Sequence, residues 1–251
     1  GSFNVTTSSS QGPLTIDPAR PHTLMYANGE RFFWNGDTEW FFLSDAFTQA
    51  NRLAAIDFLA SKKVNNLLMT MVNDDSYDVF PWVSPTDRTR FDVARLARWE
   101  AVVDSMRSKG ILADLWFYSD DSASLLPAAD SREENLYFKY IIARFAPYRN
   151  VTWNLGLEHN EYRSDSWVIS RAQSVKALDP FKHLIGVHRT DERWPFAGNA
   201  HLDHTSLQHL GAGHAALNGA VVTIRQATAS AGRAIPVMHE EFFIEGADGT
   251  L

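Results

Sequence analysis

The stretch Val151-Thr-Trp-Asn-Leu-Gly-Leu-Glu-His-Asn-Glu161 decides the fold, because an apolar run typical of a buried strand ends in carboxylate and imidazole side chains. A second run of the same design, Ile235-Pro-Val-Met-His-Glu-Glu241, lies further along the chain. In a parallel α/β sheet or barrel the carboxyl ends of the strands meet at one face, where ligands bind. The two runs therefore predict a pocket that receives Glu158 from one strand and Glu241 from another.

Strand-like and helix-like segments alternate along the rest of the chain. Apolar residues recur at helical spacing over residues 51–61, 93–109, 132–145, 167–178 and 215–230. Strand-like runs end at Gly36 and cover residues 64–72, 111–118, 151–157, 184–188, 205–210 and 235–238. These repeated βα units predict an α/β protein of the (β/α)8 TIM-barrel type, with seven readable strands and a glutamate after the fourth and the seventh.

The two ends of the chain lie outside this repeat. Residues 1–22 are rich in Ser, Thr and Pro and predict an extended lead-in, the end of a preceding β-sandwich. Residues 23–251 are predicted to form the catalytic barrel, truncated before its eighth strand, because only ten residues follow Glu241. An incomplete barrel exposes the edges of its first and seventh strands, so self-association through those edges is expected.

The composition excludes several classes of function. The 251 residues carry a formal net charge of -7 without a basic run, which excludes nucleic acid as an expected partner. The absence of cysteine excludes disulfides and thiolate chemistry. No apolar stretch approaches the roughly 18 residues of a membrane-spanning helix, so no membrane association is expected. Gly211-Ala-Gly213 lacks the acidic residue that a dinucleotide site needs, and no cofactor is predicted.

Two carboxylates at the mouth of a barrel indicate glycoside hydrolysis. That reaction needs one protonated carboxyl group to protonate the leaving oxygen and, in retaining enzymes, an ionised one about 5 Å away to attack the anomeric carbon. A single glutamate at a strand end is more often a solvated side chain. Glu158 and Glu241 together, at the ends of two strands, favour the catalytic interpretation.

The other strand ends carry polar and aromatic side chains that suit a ring of sugar contacts. Each of them alone is as easily a loop cap, and their common placement is what supports binding. The predicted substrate-binding residues are Asp37, Glu39, Trp40, Asn73, Trp82, Trp116, Asn154, His159, Glu161, His188, Gln208, His209 and Glu240. Among them Trp40, Trp82 and Trp116 are the candidate platforms on which a sugar ring could stack.

Several motifs carry a resemblance to a known group of enzymes. They are Tyr26-Ala-Asn-Gly-Glu-Arg-Phe-Phe-Trp-Asn-Gly-Asp-Thr-Glu-Trp40, Phe80-Pro-Trp82 with Arg90-Phe-Asp92, Ala143-Arg-Phe145, Thr152-Trp-Asn-Leu-Gly156 with Glu158, and Leu178-Asp-Pro180. With them the chain resembles the clan of retaining glycoside hydrolases with (β/α)8 barrels and catalytic glutamates after strands four and seven. Within that clan it is similar to secreted bacterial glycosidases that have a small β-sandwich before the barrel.

The resemblance implies a retaining double displacement on a polysaccharide or oligosaccharide, with Glu158 as acid/base. The Glu-Phe pairing of the clan favours Glu241 over Glu240 as nucleophile. It also implies a secreted or periplasmic location and a site without metal. Leu157 stands where the clan often has Asn, which leaves the partner of a substrate 2-hydroxyl unassigned.

Two alternatives remain open. The chain could be a catalytically inactive, carbohydrate-binding barrel fragment. It could also be a metal-dependent hydrolase that uses His201, His204, His209 and His214, although no HExxH helix accompanies these histidines.

Overall fold

The computed structural model describes residues 4, 10–74, 76–120, 124–209 and 214–242, without the side chains of residues 209, 214–216, 241 and 242. Its helices are α1 (Gln49–Ser61), α2 (Val93–Ser108), α3 (Arg132–Phe145), α4 (Asp165–Leu178) and α5 (His214–Ser230). Its strands are β1 (Leu14–Ile16), β2 (Leu24–Tyr26), β3 (Arg31–Phe32), β4 (Gly36–Thr38), β5 (Asn66–Thr70), β6 (Trp82–Ser84), β7 (Asp87–Phe91), β8 (Leu112–Trp116), β9 (Val151–Asn154), β10 (Ile185–Gly186), β11 (His188–Arg189), β12 (Ser206–His209) and β13 (His239–Phe242). A short 3-10 helix covers His159–Glu161.

Seven strand positions follow one another in parallel, which confirms the predicted α/β barrel architecture. One sheet has the order β10-β9-β8-β5-β4, and a second has the order β11-β12-β13. β10 and β11 are consecutive parts of one chain segment, so the fifth position joins the two sheets. Among the described strands none pairs with the outer edge of β4 or of β13, and a cleft of about 300 Å³ there is lined by residues including Trp34, Asp37 and Glu240.

The helices start where side chains can accept hydrogen bonds from their first free N–H groups. Thr48, Asp92, Ser131 and Ser164 cap α1, α2, α3 and α4 in this way. Each helix then packs its apolar face against the outer side of the sheet, as the helical spacing predicted.

Alternation along the strands separates an outer core from the barrel interior. On β5, Leu67 and Met69 belong to the large core under the helices, whereas Leu68 joins a separate interior cluster with Trp116 and Leu157. Residues of one strand that are two positions apart share a face. The interior face of β8 therefore carries Asp114 as well as Trp116.

The amino-terminal residues form a small antiparallel sheet, β1-β2-β3, whose β2–β3 hairpin turns at Gly29, where φ is 90°. Its apolar face contacts Leu112 and Leu184, which lie at the amino-terminal ends of their strand positions. The sheet thus covers the end of the barrel opposite the candidate site. The division of the chain at residues 22 and 23 stays a prediction.

Two strand predictions need correction. The first barrel strand starts at Gly36, where the sequence analysis had it end, and the seventh is β13 rather than residues 235–238. The segment before β13 already lies beside β12, since Thr205 donates to Pro236 O. Pro236 has no N–H, however, and the N–H of Met238 donates to Thr205 Oγ1, so a regular ladder forms only from His239.

A buried ion-pair network joins α3 to α4 beneath the loops of the candidate site. Glu134 is fully buried and accepts hydrogen bonds from Arg171 at 2.5 Å, Trp167 at 3.1 Å and Arg163 at 3.2 Å. Arg163 lies shortly after Glu158 in the chain, so the network anchors the loop that follows the fourth strand. None of the described helices is long and apolar enough to cross a membrane.

Candidate active site

Glu158 lies on a tight turn just beyond β9, at the carboxyl end of the fourth strand. Its backbone is left-handed, with φ 45° and ψ 40°, and the 3-10 helix begins at the next residue. Leu157 N donates to Tyr118 O on the third-strand side at 3.0 Å, and Glu158 N donates to His188 Nδ1 on the fifth-strand side at 3.1 Å. The turn is therefore held from both neighbouring strands, as a catalytic side chain requires.

Glu158 belongs to a group of three carboxylates. The other two are Asp120, from the loop after β8, and Glu161, from the 3-10 helix. One carboxylate oxygen from each of the three residues lies within 4.8 Å of the other two. Exposed acidic groups of this kind are common without a metal. Of the four histidines of the alternative metal site, the side chains of His209 and His214 lie outside the described residues.

His159 faces the protein interior rather than a substrate, which corrects its predicted role. Its ring is fully buried, its Nδ1 contacts His188 O at 2.7 Å, and its Nε2 contacts Asp165 Oδ1 at 3.2 Å. A carbonyl oxygen can only accept, so Nδ1 carries the proton. Burial lowers the pKa of His159, and in the neutral ring Nε2 accepts from Arg189 Nη1 at 3.4 Å, which also donates to Asp165 Oδ1 at 2.6 Å. Its function is to hold the turn after Glu158 against the fifth strand.

The barrel interior below Glu158 contains a second pair of carboxyl groups. Asp114 is fully buried and accepts from Trp116 Nε1 at 2.7 Å and from Thr152 Oγ1 at 2.8 Å. Glu240 accepts a hydrogen bond from Ser206. Burial raises the pKa of Asp114, and burial together with the charge of Asp114 raises the pKa of Glu240 well above its usual range. Both effects favour the protonated form of Glu240, which is partly exposed at the cleft beside β4.

The seventh strand contains a register shift at this point. Leu207 pairs with His239, but the next residue, Gln208, pairs with Glu241, so Glu240 is one extra residue on β13. The backbone thus places Glu241 opposite Gln208. The side chain of Glu241 lies outside the described residues, as does that of His209, and the predicted separation of the two catalytic carboxylates stays a prediction.

The predicted aromatic platforms need correction as well. Trp82 is fully buried and packs on Tyr137 in the outer core, with ring centroids 5.5 Å apart. Trp116 is fully buried in the interior and donates to Asp114. Neither ring has a face for a sugar. Trp40 is half-buried against the interior cluster and keeps its candidate role as a platform.

The remaining predicted contacts divide by exposure. Asp37, Glu39 and Glu161 are exposed, and burial of its carboxyl group together with the charge of Asp37 raises the pKa of Glu39. Asn73, Asn154, His188 and Gln208 are buried. Asn154 is used by the protein itself, since its Oδ1 accepts from Gly156 N at 3.1 Å. The exposed carboxylates are thus the better candidates for direct contact with a ligand.

Two groups that the structure brings to the site, Asp114 and Tyr162, are absent from the sequence-based prediction. The signal for Asp114 was a carboxylate inside the apolar run of residues 111–117. Tyr162 lies over Gly156, where an added Cβ would come within 2.0 Å of the hydroxyl oxygen. Burial raises the pKa of Tyr162 well above its usual value, so it remains a neutral phenol beside the carboxylates.

Several solved structures with a similar fold are glycoside hydrolases. A candidate glycoside hydrolase from Bacteroides vulgatus matches with a TM-score of 0.75 at 23% identity, over 92% of this chain and 48% of that one. A glycoside hydrolase family 5 protein from the same species matches with a TM-score of 0.72 at 18% identity, over 94% and 54%. The endo-1,4-beta-mannanase of Rhizomucor miehei gives a TM-score of 0.64 at 14% identity, over 94% and 82%. At these identities the likeness concerns the fold.

The chain spans about half the length of the two Bacteroides proteins. No curated protein matches it. A model of the apiosidase-like catalytic domain matches residues 19–250, which include every strand of the barrel and both candidate glutamates. The chain belongs to the apiosidase-like catalytic domain family.

Proposed function

We propose that this chain is the catalytic domain of a retaining glycoside hydrolase, with Glu158 as acid/base and Glu241 as nucleophile. The observation that carries the proposal is the position of Glu158, on a backbone turn held by hydrogen bonds from the third and the fifth strands. A general acid must be held to within a fraction of an ångström of the leaving oxygen, and a turn fixed on both sides meets that need.

The properties of Glu240 support the assignment of its neighbour as nucleophile. A nucleophilic carboxylate must be ionised, whereas burial and the nearby Asp114 raise the pKa of Glu240 and so favour its protonated form. Its hydrogen bond from Ser206 further directs it into the barrel interior. Glu241 is the next residue and pairs with Gln208, on the strand position beside the fifth strand that contacts the Glu158 turn.

The proposed reaction follows from these roles. Glu241 attacks the anomeric carbon while Glu158 gives its proton to the leaving oxygen, which forms a glycosyl-enzyme ester. Glu158, now ionised, then takes a proton from water as the water attacks the ester, and the sugar leaves with its original anomeric configuration. These reaction steps use only the two carboxyl groups and water, and need no cofactor.

The family name and the solved neighbours guide the choice of substrate. We propose a terminal apiosyl residue on a plant polysaccharide or its oligosaccharides as the first substrate to test, and a β-mannoside as the second. Exposed carboxylates at Asp37, Glu39 and Glu161 suit hydrogen bonds to sugar hydroxyl groups. A secreted or periplasmic location fits a polymeric substrate and remains a prediction.

The test is hydrolysis of nitrophenyl apioside and nitrophenyl mannoside by the wild type and by E158Q, E241G and E240Q. E241G and E158Q are expected to lower kcat by roughly two to four orders of magnitude with unchanged melting temperature, E158Q because hydrolysis of the glycosyl-enzyme loses its general base. Azide should restore activity to E241G and give a glycosyl azide of inverted configuration, because the small anion replaces the missing nucleophile. E240Q should stay active, since it replaces a neutral acid by a neutral amide.

Two outcomes would contradict the proposal. If E240Q is inactive and rescued by azide in its glycine form, the nucleophile is Glu240. If the wild type binds the oligosaccharides but hydrolyses neither glycoside, the chain is the carbohydrate-binding barrel considered as the alternative.

A further inference from the structure

The backbone of Glu158 adopts a conformation that residues other than glycine rarely take. Its φ of 45° lies in the left-handed region, although the position carries a long charged side chain. Such a conformation persists when surrounding groups hold it in place, and in proteins it is concentrated at functional sites. The hydrogen-bond partner of the Glu158 N–H is therefore one of the groups that can hold this backbone in place.

His188 supplies that partner with its side chain. Its Nδ1 accepts the hydrogen bond from Glu158 N at 3.1 Å, and its ring is fully buried beside Trp116, with ring centroids 5.4 Å apart. Because Nδ1 accepts, the neutral ring must carry its proton on Nε2. Burial and the neighbouring His159 lower the pKa of His188 to about 3, so the acceptor is available across the ordinary pH range.

The backbone of the same residue holds the chain on both sides of Glu158. His188 N donates to Gly156 O at 3.1 Å, and His188 O accepts from the ring of His159 at 2.7 Å. Residue 188 thus contacts positions 156, 158 and 159. The next contact along, from Thr190 N to Asn160 Oδ1 at 3.1 Å, continues the same alignment.

We propose that His188 is a positioning residue: its unprotonated Nδ1 fixes the left-handed backbone of Glu158 and thereby aims the carboxyl group at the leaving oxygen. The inference rests on the proposed function, because it gives His188 importance through the role of Glu158. The sequence analysis had placed His188 among the groups that touch the substrate, and the contact with Glu158 N gives it a different task.

The test compares H188L, which removes the acceptor, with H188N, whose amide oxygen can occupy the place of Nδ1. We measure kcat/KM for the nitrophenyl and the methyl glycoside of whichever sugar the wild type hydrolyses. Both values report formation of the glycosyl-enzyme, so a loss confined to the methyl glycoside indicates a misplaced acid rather than a damaged active site. A nitrophenolate leaves without a proton, whereas an alkoxide needs one. H188L is expected to lose roughly 100-fold on the methyl glycoside and less than about threefold on the nitrophenyl glycoside, with most of the loss recovered in H188N.

His183 provides a matched control on the same chain segment. It is also buried, and its Nδ1 contacts Asp179 Oδ2 at 2.8 Å, outside the barrel interior. H183L should lower the melting temperature but leave the ratio of the two kcat/KM values unchanged. Exchange of the Glu158 amide hydrogen, followed by NMR, gives a readout without substrate: it should be faster in H188L than in the wild type and in H188N.

E158Q, measured in parallel, distinguishes the two ways in which the idea can fail. If E158Q shows no dependence on the leaving group, the acid assignment is wrong, and both the proposed function and this inference are lost. If E158Q shows that dependence but H188L lowers both kcat/KM values equally, or neither, the acid assignment stands and the positioning role is refuted.

Discussion

Replacement of Gly186 by alanine tests the packing of the barrel interior next to the candidate site. A Cβ at this position would lie 2.3 Å from Cε1, 2.8 Å from Nε2 and 2.9 Å from Nδ1 of His204. Ordinary contact between carbon atoms begins near 3.5 Å, so the overlap with Cε1 exceeds about 1 Å. The strand can therefore accept no side chain at position 186 unless the ring moves.

The His204 ring has little freedom to move. It is fully buried, its Nδ1 contacts Thr205 O at 3.0 Å, and its centroid lies 5.8 Å from that of Trp34. Overpacking of such a site costs about 1–3 kcal/mol. For a chain of this size each kcal/mol lowers the melting temperature by about 2–4 °C, so G186A is expected to melt about 2–12 °C below the wild type.

G219A is the matched control, because Gly219 lies within α5 and has no atom within 4 Å of an added Cβ. Alanine is about 1 kcal/mol better than glycine inside a helix, so the melting temperature of G219A should rise. Melting followed by circular dichroism measures both variants. In an H204A background the G186A change should become nearly neutral, since the clashing ring is gone. Equal melting temperatures for G186A and the wild type would refute the described packing of His204.

Four further predictions concern charge, metal and assembly. The pKa of Glu240 is raised in the folded state, so from about pH 4.3 upward the unfolded chain ionises this group before the folded chain does, and the wild type should lose stability relative to E240Q as the pH rises; an equal difference in melting temperature between the two proteins at about pH 5 and about pH 8 would contradict this. E134A should lose about 3–5 kcal/mol in urea unfolding, because Arg171 would keep its buried charge with only the exposed Asp130, at 3.1 Å, as a carboxylate partner; a loss below about 1 kcal/mol would show that Asp130 or water is sufficient. Dialysis against a chelator should change neither activity nor melting temperature, and recovery of a lost activity by zinc would reverse that expectation. No strand in the described part of the chain pairs with the outer edge of β4 or of β13, which predicts self-association, so light scattering should show a mass that increases with concentration, and a constant monomer mass would count against it.

The arrangement of elements was largely predictable from periodicity and capping. The predicted helix at residues 132–145 coincides with α3, whose cap Ser131 and acidic first turn are readable signals. The seventh strand was predicted at residues 235–238, earlier than β13, because an apolar run indicates burial. Regular strand pairing also needs N–H groups that are free to donate to the neighbouring strand. Pro236 and Met238 lack them for different reasons. Such details depend on partners distant in sequence.

The candidate site was predictable in position but less so in the roles of its residues. The turn at Glu158 follows from a strand that ends in polar residues, and the structure places Glu158 there. Trp82, Trp116 and His159 are of residue types that often contact ligands, yet all three are buried among protein groups. Side-chain type does not reveal which face of a loop or strand a residue occupies, and that choice depends on packing with α2, α3 and the fifth strand.

The extra residue on β13 has a practical consequence for the comparison of related chains. A bulge holds one residue outside the regular pairing, so a relative that lacks the bulge would have one residue fewer between the partners of Leu207 and Gln208. An alignment without a gap there would align Glu240 of this chain with the residue of the relative that pairs with its equivalent of Gln208. In this chain, the residue that pairs with Gln208 is Glu241. Two adjacent glutamates hide such an error, since either one satisfies the column. Residues of this strand should therefore be matched by counting back from Phe242, and the nucleophile of any relative should be assigned from its pairing with the sixth strand.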